Sequence, residues 1–160
     1  MRIDAKMAIA TGAATLLVAA PAAAAKKPTT LRFQTANIVV TTVDLGPAGK
    51  SPGDLYVYDG DVVVNGRTVG KVYGANTSIR VEGAAETVSG QLTFELGGDD
   101  TLVVGGTSQY PADDNSGFIR DKPFTRVVFG GTGRYAGARG TITTTRISDA
   151  GYSQVVRLVR

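Results

Sequence analysis

Gly130-Gly131-Thr132-Gly133-Arg134-Tyr135-Ala136-Gly137-Ala138-Arg139-Gly140 is the stretch on which the reading of this chain turns. Five glycines in eleven residues mark a backbone that turns tightly or lies against another backbone, where a Cβ would clash. A nucleotide-binding loop is the first reading to test. A dinucleotide loop follows a strand and opens a long helix, and a phosphate loop ends in Gly-Lys-Ser/Thr. Here both flanks, Thr125–Phe129 and Thr141–Ile147, are rich in β-branched and aromatic residues and read as strands. The segment is therefore a wide turn between antiparallel strands. Gly130, Gly131, Gly133, Gly137 and Gly140 form its structural motif, with Arg139 bracing the turn through carbonyls or an acidic side chain.

Outward from this turn the same grammar holds from Leu31 onward, with no sustained helical period. Strands are expected at Leu31–Asp44, Asp54–Val64, Thr68–Glu82, Thr87–Leu96, Thr101–Ser108, Thr125–Phe129, Thr141–Ile147 and Tyr152–Val159. Asn65-Gly66 predicts a type I′ hairpin, which needs positive φ at both central residues. Gly97–Asp100 and Ser148–Gly151 read as further hairpin turns. Gly46–Gly53 holds two prolines and three glycines and cannot be strand interior. Gln109–Pro123 is the one long loop and is expected to be mobile. Eight strands in a meander suit either a two-sheet sandwich or a closed up-and-down barrel, and closure removes the exposed edges.

The first 25 residues stand apart. Arg2 and Lys6 precede the apolar run Met7–Ala20, and Ala23-Ala24-Ala25 offers a small-residue cleavage site. The expectation is a signal peptide over 1–25, cleavage before Lys26, and a single secreted or extracytoplasmic domain over 26–160. The apolar run is shorter than a membrane span and is interrupted by Thr11, Gly12 and Thr15. The mature product is thus expected to have no membrane partner. The chain has no cysteine and no histidine. Disulfides, thiolate chemistry, histidine-based triads and histidine-ligated metals are therefore excluded. Its formal net charge of +3 is spread rather than clustered, which argues against a nucleic-acid partner.

Three segments resemble the allene-oxide-cyclase-like and dirigent-like barrel family: Gly130–Gly140, Gly46–Leu55 with its Gly53-Asp54-Leu55, and Val69-Gly70-Lys71-Val72-Tyr73-Gly74. The similar region runs from about Ile38 to Leu158. The resemblance implies an all-β, eight-stranded antiparallel up-and-down barrel, a homotrimer as the usual assembly, and an apolar pocket at one end. By the same resemblance Tyr56, Tyr58 and Asn76 face that pocket, with Gly60 on the same side. Ser78 follows by strand alternation, Leu92 and Phe94 come from the fourth strand, and Val88 lies deeper. Plant cyclases carry a glutamate on the first strand, whereas Leu31–Val43 has no acidic residue. Gly60 stands in the place of their second-strand asparagine, and Asn76 in that of a pocket cysteine. The dirigent arginine's place falls at Thr145, leaving Arg146 on the opposite face of the strand.

Other constellations read as ordinary surface. Asp59 and Asp61 alternate with Tyr56 and Tyr58 and so face outward, and Asp113-Asp114-Asn115 lacks the later acidic ligand of a calcium loop. No metal or cofactor is called for. Two functions follow. In one, Tyr56, Tyr58, Asn76, Ser78, Leu92 and Phe94 bind a small hydrophobic or aromatic molecule and steer its cyclisation or coupling by shape and hydroxyl contacts. In the other, the same tyrosines fill a packed interior, and the barrel is a carrier or cell-envelope interaction module. An open interior of a few hundred Å³ separates the two.

Overall fold

The computed structural model describes residues 29–112 and 118–159; the leader over 1–25 and the Asp113–Asn115 run lie outside them. Eight strands follow in chain order: β1 Thr29–Val43, β2 Leu55–Val64, β3 Arg67–Glu82, β4 Ala85–Glu95, β5 Thr101–Pro111, β6 Phe124–Thr132, β7 Arg139–Ser148 and β8 Gly151–Val159. Each pairs antiparallel with its neighbour in sequence, and β1 pairs with β8, so the sheet closes into an up-and-down barrel. A closed sheet of eight strands has an interior just wide enough for packed side chains or one small ligand.

Alternation sorts the side chains. On β2, Tyr56, Gly60 and Val62 are buried while Val57 and Asp59 are exposed. Asp59 and Asp61 lie on the outer face as expected, Asp61 pairing with Lys71 at 2.9 Å and accepting from Asn37 Nδ2 at 2.7 Å. Asn65 and Gly66 both have positive φ, 50° and 75°, as the hairpin requires. At Asn37, with φ 52°, β1 bulges against β2. That bulge brings Ile38 over Gly60, where a Cβ would collide with the Ile38 side chain.

The two ends of the barrel differ. At the end holding the β2–β3, β4–β5 and β6–β7 turns, the interior is filled. Phe33, Val62, Val72, Phe94, Leu102, Val104, Val128, Ile142, Val156 and Leu158 form one core, with Phe33 and Phe94 meeting edge to face at 5.2 Å. The glycine segment seals this end. It is narrower than its sequence suggests, because β6 continues through Gly130 and Gly131 to Thr132 and only Gly133–Tyr135 forms a 3-10 turn. Tyr135 and Ala138 drop from that turn into the core. Asp100, on the β4–β5 turn, accepts the Arg134 backbone N–H at 2.7 Å and also its guanidinium Nε. Both bonds hold the Asp100 carboxyl below its ordinary value. Arg139 Nη1 donates to the carbonyl of the adjacent Ala138 at 2.8 Å.

At the other end the interior stays open. Here lie the 44–54 segment, the β3–β4 and β7–β8 turns, and the connection between β5 and β6. β5 runs on to Pro111, into the expected loop, and the described residues after the loop's centre pack on the barrel. Phe118 is buried, Arg146 Nη1 donates to its carbonyl at 3.3 Å, and Asp121 N–H donates to the Arg146 carbonyl at 3.1 Å.

Candidate functional site

The open half of the barrel encloses a chamber of about 290 Å³, near the lower bound for small-molecule sites. Five of the six residues singled out from the sequence line it together: Tyr56, Tyr58, Asn76, Leu92 and Phe94. Ser78 is the exception. It faces inward and is buried, but the 44–54 segment roofs it. Gly53 N–H donates to the Ser78 carbonyl and Ser78 N–H to the Asp54 carbonyl, each at 2.8 Å, and its hydroxyl meets no partner among the described residues.

Asp54 is what fixes that roof. Its carboxylate accepts from Leu45 N–H at 3.0 Å, Ser51 N–H at 2.7 Å and the Ser51 hydroxyl at 3.1 Å. These bonds, led by the Ser51 N–H, lower its pKa. The clamped segment carries Lys50 to the chamber, where Nζ donates to the Pro111 carbonyl at 2.8 Å and lies 3.1 Å from Glu86 Oε2. Glu86 is fully buried, and its Oε1 accepts the Tyr56 hydroxyl at 2.6 Å. A Lys50–Glu86–Tyr56 chain therefore crosses one wall. Desolvation, then the bond to Glu86, pushes the Tyr56 phenol far above its usual range, so it is a neutral donor.

On the same side, Asn76 lies directly across the β2–β3 ladder from Tyr56. Its Nδ2 donates to the Tyr110 hydroxyl at 3.1 Å and the Tyr58 hydroxyl at 3.3 Å. Gly90 on β4 makes room for it, because a Cβ there would collide with Asn76 Oδ1. Burial raises Tyr58, Tyr110 and Tyr152 above the ordinary phenol value, leaving three more neutral hydroxyls. Phe118 connects them with the upper wall. It meets Tyr110 edge to face at 4.9 Å and Tyr152 at 6.0 Å, and stacks on Phe124 at 5.2 Å. Deeper, Thr144 Oγ1 donates to Gln154 Oε1 at 2.7 Å, and Gln154 Nε2 donates to Thr35 Oγ1 at 3.4 Å.

Arg126 also lines the chamber and is buried. Arg146 is buried at its rim, donating to Ser148 O and to Asp149. On β7 it is thus Thr144 and Arg146 that point inward, with Thr145 on the other side; the dirigent arginine's expected place is an outer position here. Among the described residues no three acidic side chains converge on a common point that could hold a metal ion.

Glu86, Arg126 and Tyr110 went unread in the sequence, although alternation contained them. Val88, Leu92 and Phe94 share parity with Glu86, which lies just before the strand expected from Thr87. Tyr110 shares parity with Ser108 and lies just beyond the end expected for its strand. Arg126 shares parity with buried Val128.

No sequence-family model and no curated protein matches the chain. Solved structures do. A pyocyanin demethylase superposes with a TM-score of 0.66 at 24% identity, covering 81% of this chain and 99% of that one. A pterocarpan synthase dirigent protein gives 0.61 at 20% identity over 86% and 97%. The Diels Alderase AbmU from Streptomyces koyangensis gives 0.62 at 17% identity over 82% and 68%. With its eight strands closed in sequence order and a chamber at one end, this chain has the barrel fold of the dirigent proteins and these cyclases.

Proposed function

We propose that the protein binds one small apolar or aromatic molecule in this chamber and steers its cyclisation or coupling. The open chamber itself carries the reading, since a carrier or interaction module with a merely packed interior would fill that space with side chains. Its walls join Ile38, Val40, Val72, Leu92 and Phe94 with a few placed hydroxyls, the usual make-up of a small-molecule site. The superposed structures named for a pterocarpan synthase and a Diels–Alder cyclase support the same direction. Holding a flexible substrate in one folded conformation lowers the entropy of the productive geometry. The Tyr56–Glu86 bond adds proton chemistry: Tyr56 Oη can accept a substrate O–H proton as it passes its own to Glu86 Oε1.

Native mass spectrometry of protein purified from its own source tests this. A bound small molecule is expected on the wild type and on the outer-face variant Asp59→Asn, and its loss is expected from Leu92→Trp, which fills the chamber. An empty wild-type protein, or an adduct that survives Leu92→Trp in a folded variant, overturns the reading. We also propose export, with Met1–Ala25 as a cleaved leader. N-terminal sequencing that begins at Lys26 supports it; an intact Met1 in the membrane fraction overturns it.

A further inference from the structure

Among the described residues each of the other charged groups around the chamber faces one of opposite sign; Arg126 does not. Lys50 faces Glu86 at 3.1 Å. Asp149 faces both Arg146, at 3.0 Å, and Arg120, at 3.4 Å. Arg126 is 5% exposed and makes no hydrogen bond or ion pair with any described residue, its Nε being buried without a partner. Its neighbours are ring faces. The guanidinium carbon lies 5.9 Å from the Phe118 centroid and 6.0 Å from that of Phe124.

Ring faces attract a cation, yet they leave the five N–H donors of a guanidinium unfilled. A buried charge without hydrogen-bond partners loses more in desolvation than such contacts return. Deprotonation is no escape. Burial lowers the Arg126 pKa, but arginine starts so high that the group stays charged near neutrality. The phenols around it, Tyr58, Tyr110 and Tyr152, are held neutral by burial, so none of them supplies the missing negative charge. Glu86 is occupied by Lys50 and Tyr56.

We propose that Arg126 is the receptor for a carboxylate on the ligand, whose conjugated or aromatic body lies against Phe118. This rests on reading the chamber as a small-molecule site, and it narrows the ligand to aromatic or conjugated carboxylic acids. The planar fork of a guanidinium matches the two oxygens of a carboxylate, and such charge-assisted pairs are the strong ones. The Phe118 ring, backed by its stack on Phe124, lines the chamber beside that fork. Tyr58 and Tyr110 add hydroxyl donors on the Asn76 side.

Titration calorimetry with 2-naphthoate and 2-naphthamide separates charge from shape, since the two share a ring system and differ little in size. The wild type is expected to bind 2-naphthoate at least about ten-fold more tightly, and Arg126→Gln to reduce that ratio to within about three-fold by weakening 2-naphthoate. Equal affinities in the wild type, or an undiminished ratio in Arg126→Gln, overturn the carboxylate receptor while leaving the chamber as a binding site. Binding of neither probe overturns both readings. If Arg126→Gln does not fold, Arg126→Lys keeps the charge without the fork and is expected to retain only part of the preference; full retention overturns the proposal.

Discussion

Tyr56 and Tyr58 sit two residues apart on β2 and face one chamber, but their hydroxyls do different work. Tyr56 donates to the buried carboxylate of Glu86 at 2.6 Å, whereas Tyr58 accepts from Asn76 at 3.3 Å beside Tyr110, which Asn76 also serves. Removing the Tyr56 hydroxyl leaves a buried acceptor short of its donor, which costs about 1–3 kcal/mol; removing that of Tyr58 costs only the net worth of one shared bond, about 0.5–1.5 kcal/mol. Urea denaturation is therefore expected to rank Tyr56→Phe below Tyr58→Phe in stability. The reverse order would mean that the Glu86 bond is not formed in solution. A side chain's direction was legible in the sequence because alternation has period two. Its partner was not, because a hydrogen bond such as Tyr56 to Glu86 joins strands that are not neighbours in the sheet, and no local pattern records it.

Among the elements, the segment from Gly130 to Gly140 shows how far a glycine pattern can be taken. Its glycines are not equivalent. A Cβ on Gly131 would strike the Thr101 carbonyl oxygen across the β5–β6 ladder, while Gly137 has open space around it but a φ of 71°. Gly130 has neither constraint, meeting only the flexible Arg139 guanidinium at 3.3 Å. Gly131→Val is thus expected to cost about 3 kcal/mol or more, by overpacking against backbone, and Gly137→Val about 1–3 kcal/mol, by conformational strain. Gly130→Ala should stay within about 1 kcal/mol of wild type. Equal melting temperatures for Gly130→Ala and Gly131→Val would show that β6 does not continue through this segment. Strand positions and the Asn65-Gly66 hairpin could be read directly, since both follow from local propensity. The bulge at Asn37 could not, because it depends on how β1 meets both β2 and β8. Nor could the role of Asp54, whose acceptors gather a loop that folds back on itself. Most informative was the distance between signal and site: the glycine segment seals the filled end, and the chamber opens at the other.

For the whole molecule, the titrating groups divide into two sets with an empty interval between them. The chain has no histidine, so no side chain has an ordinary pKa between about 5 and 8. On the acid side, the carboxyls of Asp54, Asp61 and Asp100 are held below 3.8, by Ser51 and Leu45 N–H groups, by Asn37 and Lys71, and by Arg134 respectively. A depressed carboxyl contributes stability that is complete above its unfolded value and is lost as pH falls through the folded one. On the alkaline side, Tyr56, Tyr58, Tyr110 and Tyr152 are raised above 10.0 by burial. There the sign reverses: the unfolded chain releases phenolic protons first, so stability is lost as pH rises from about 10 through the folded values. Unfolding free energy measured by urea denaturation should therefore be nearly flat from about pH 5 to pH 9 and fall on both sides. Asp54→Asn should shallow the acid limb, since the amide cannot titrate, and Tyr58→Phe the alkaline limb. A slope centred between pH 6 and 8 would overturn this division into an acid and an alkaline set.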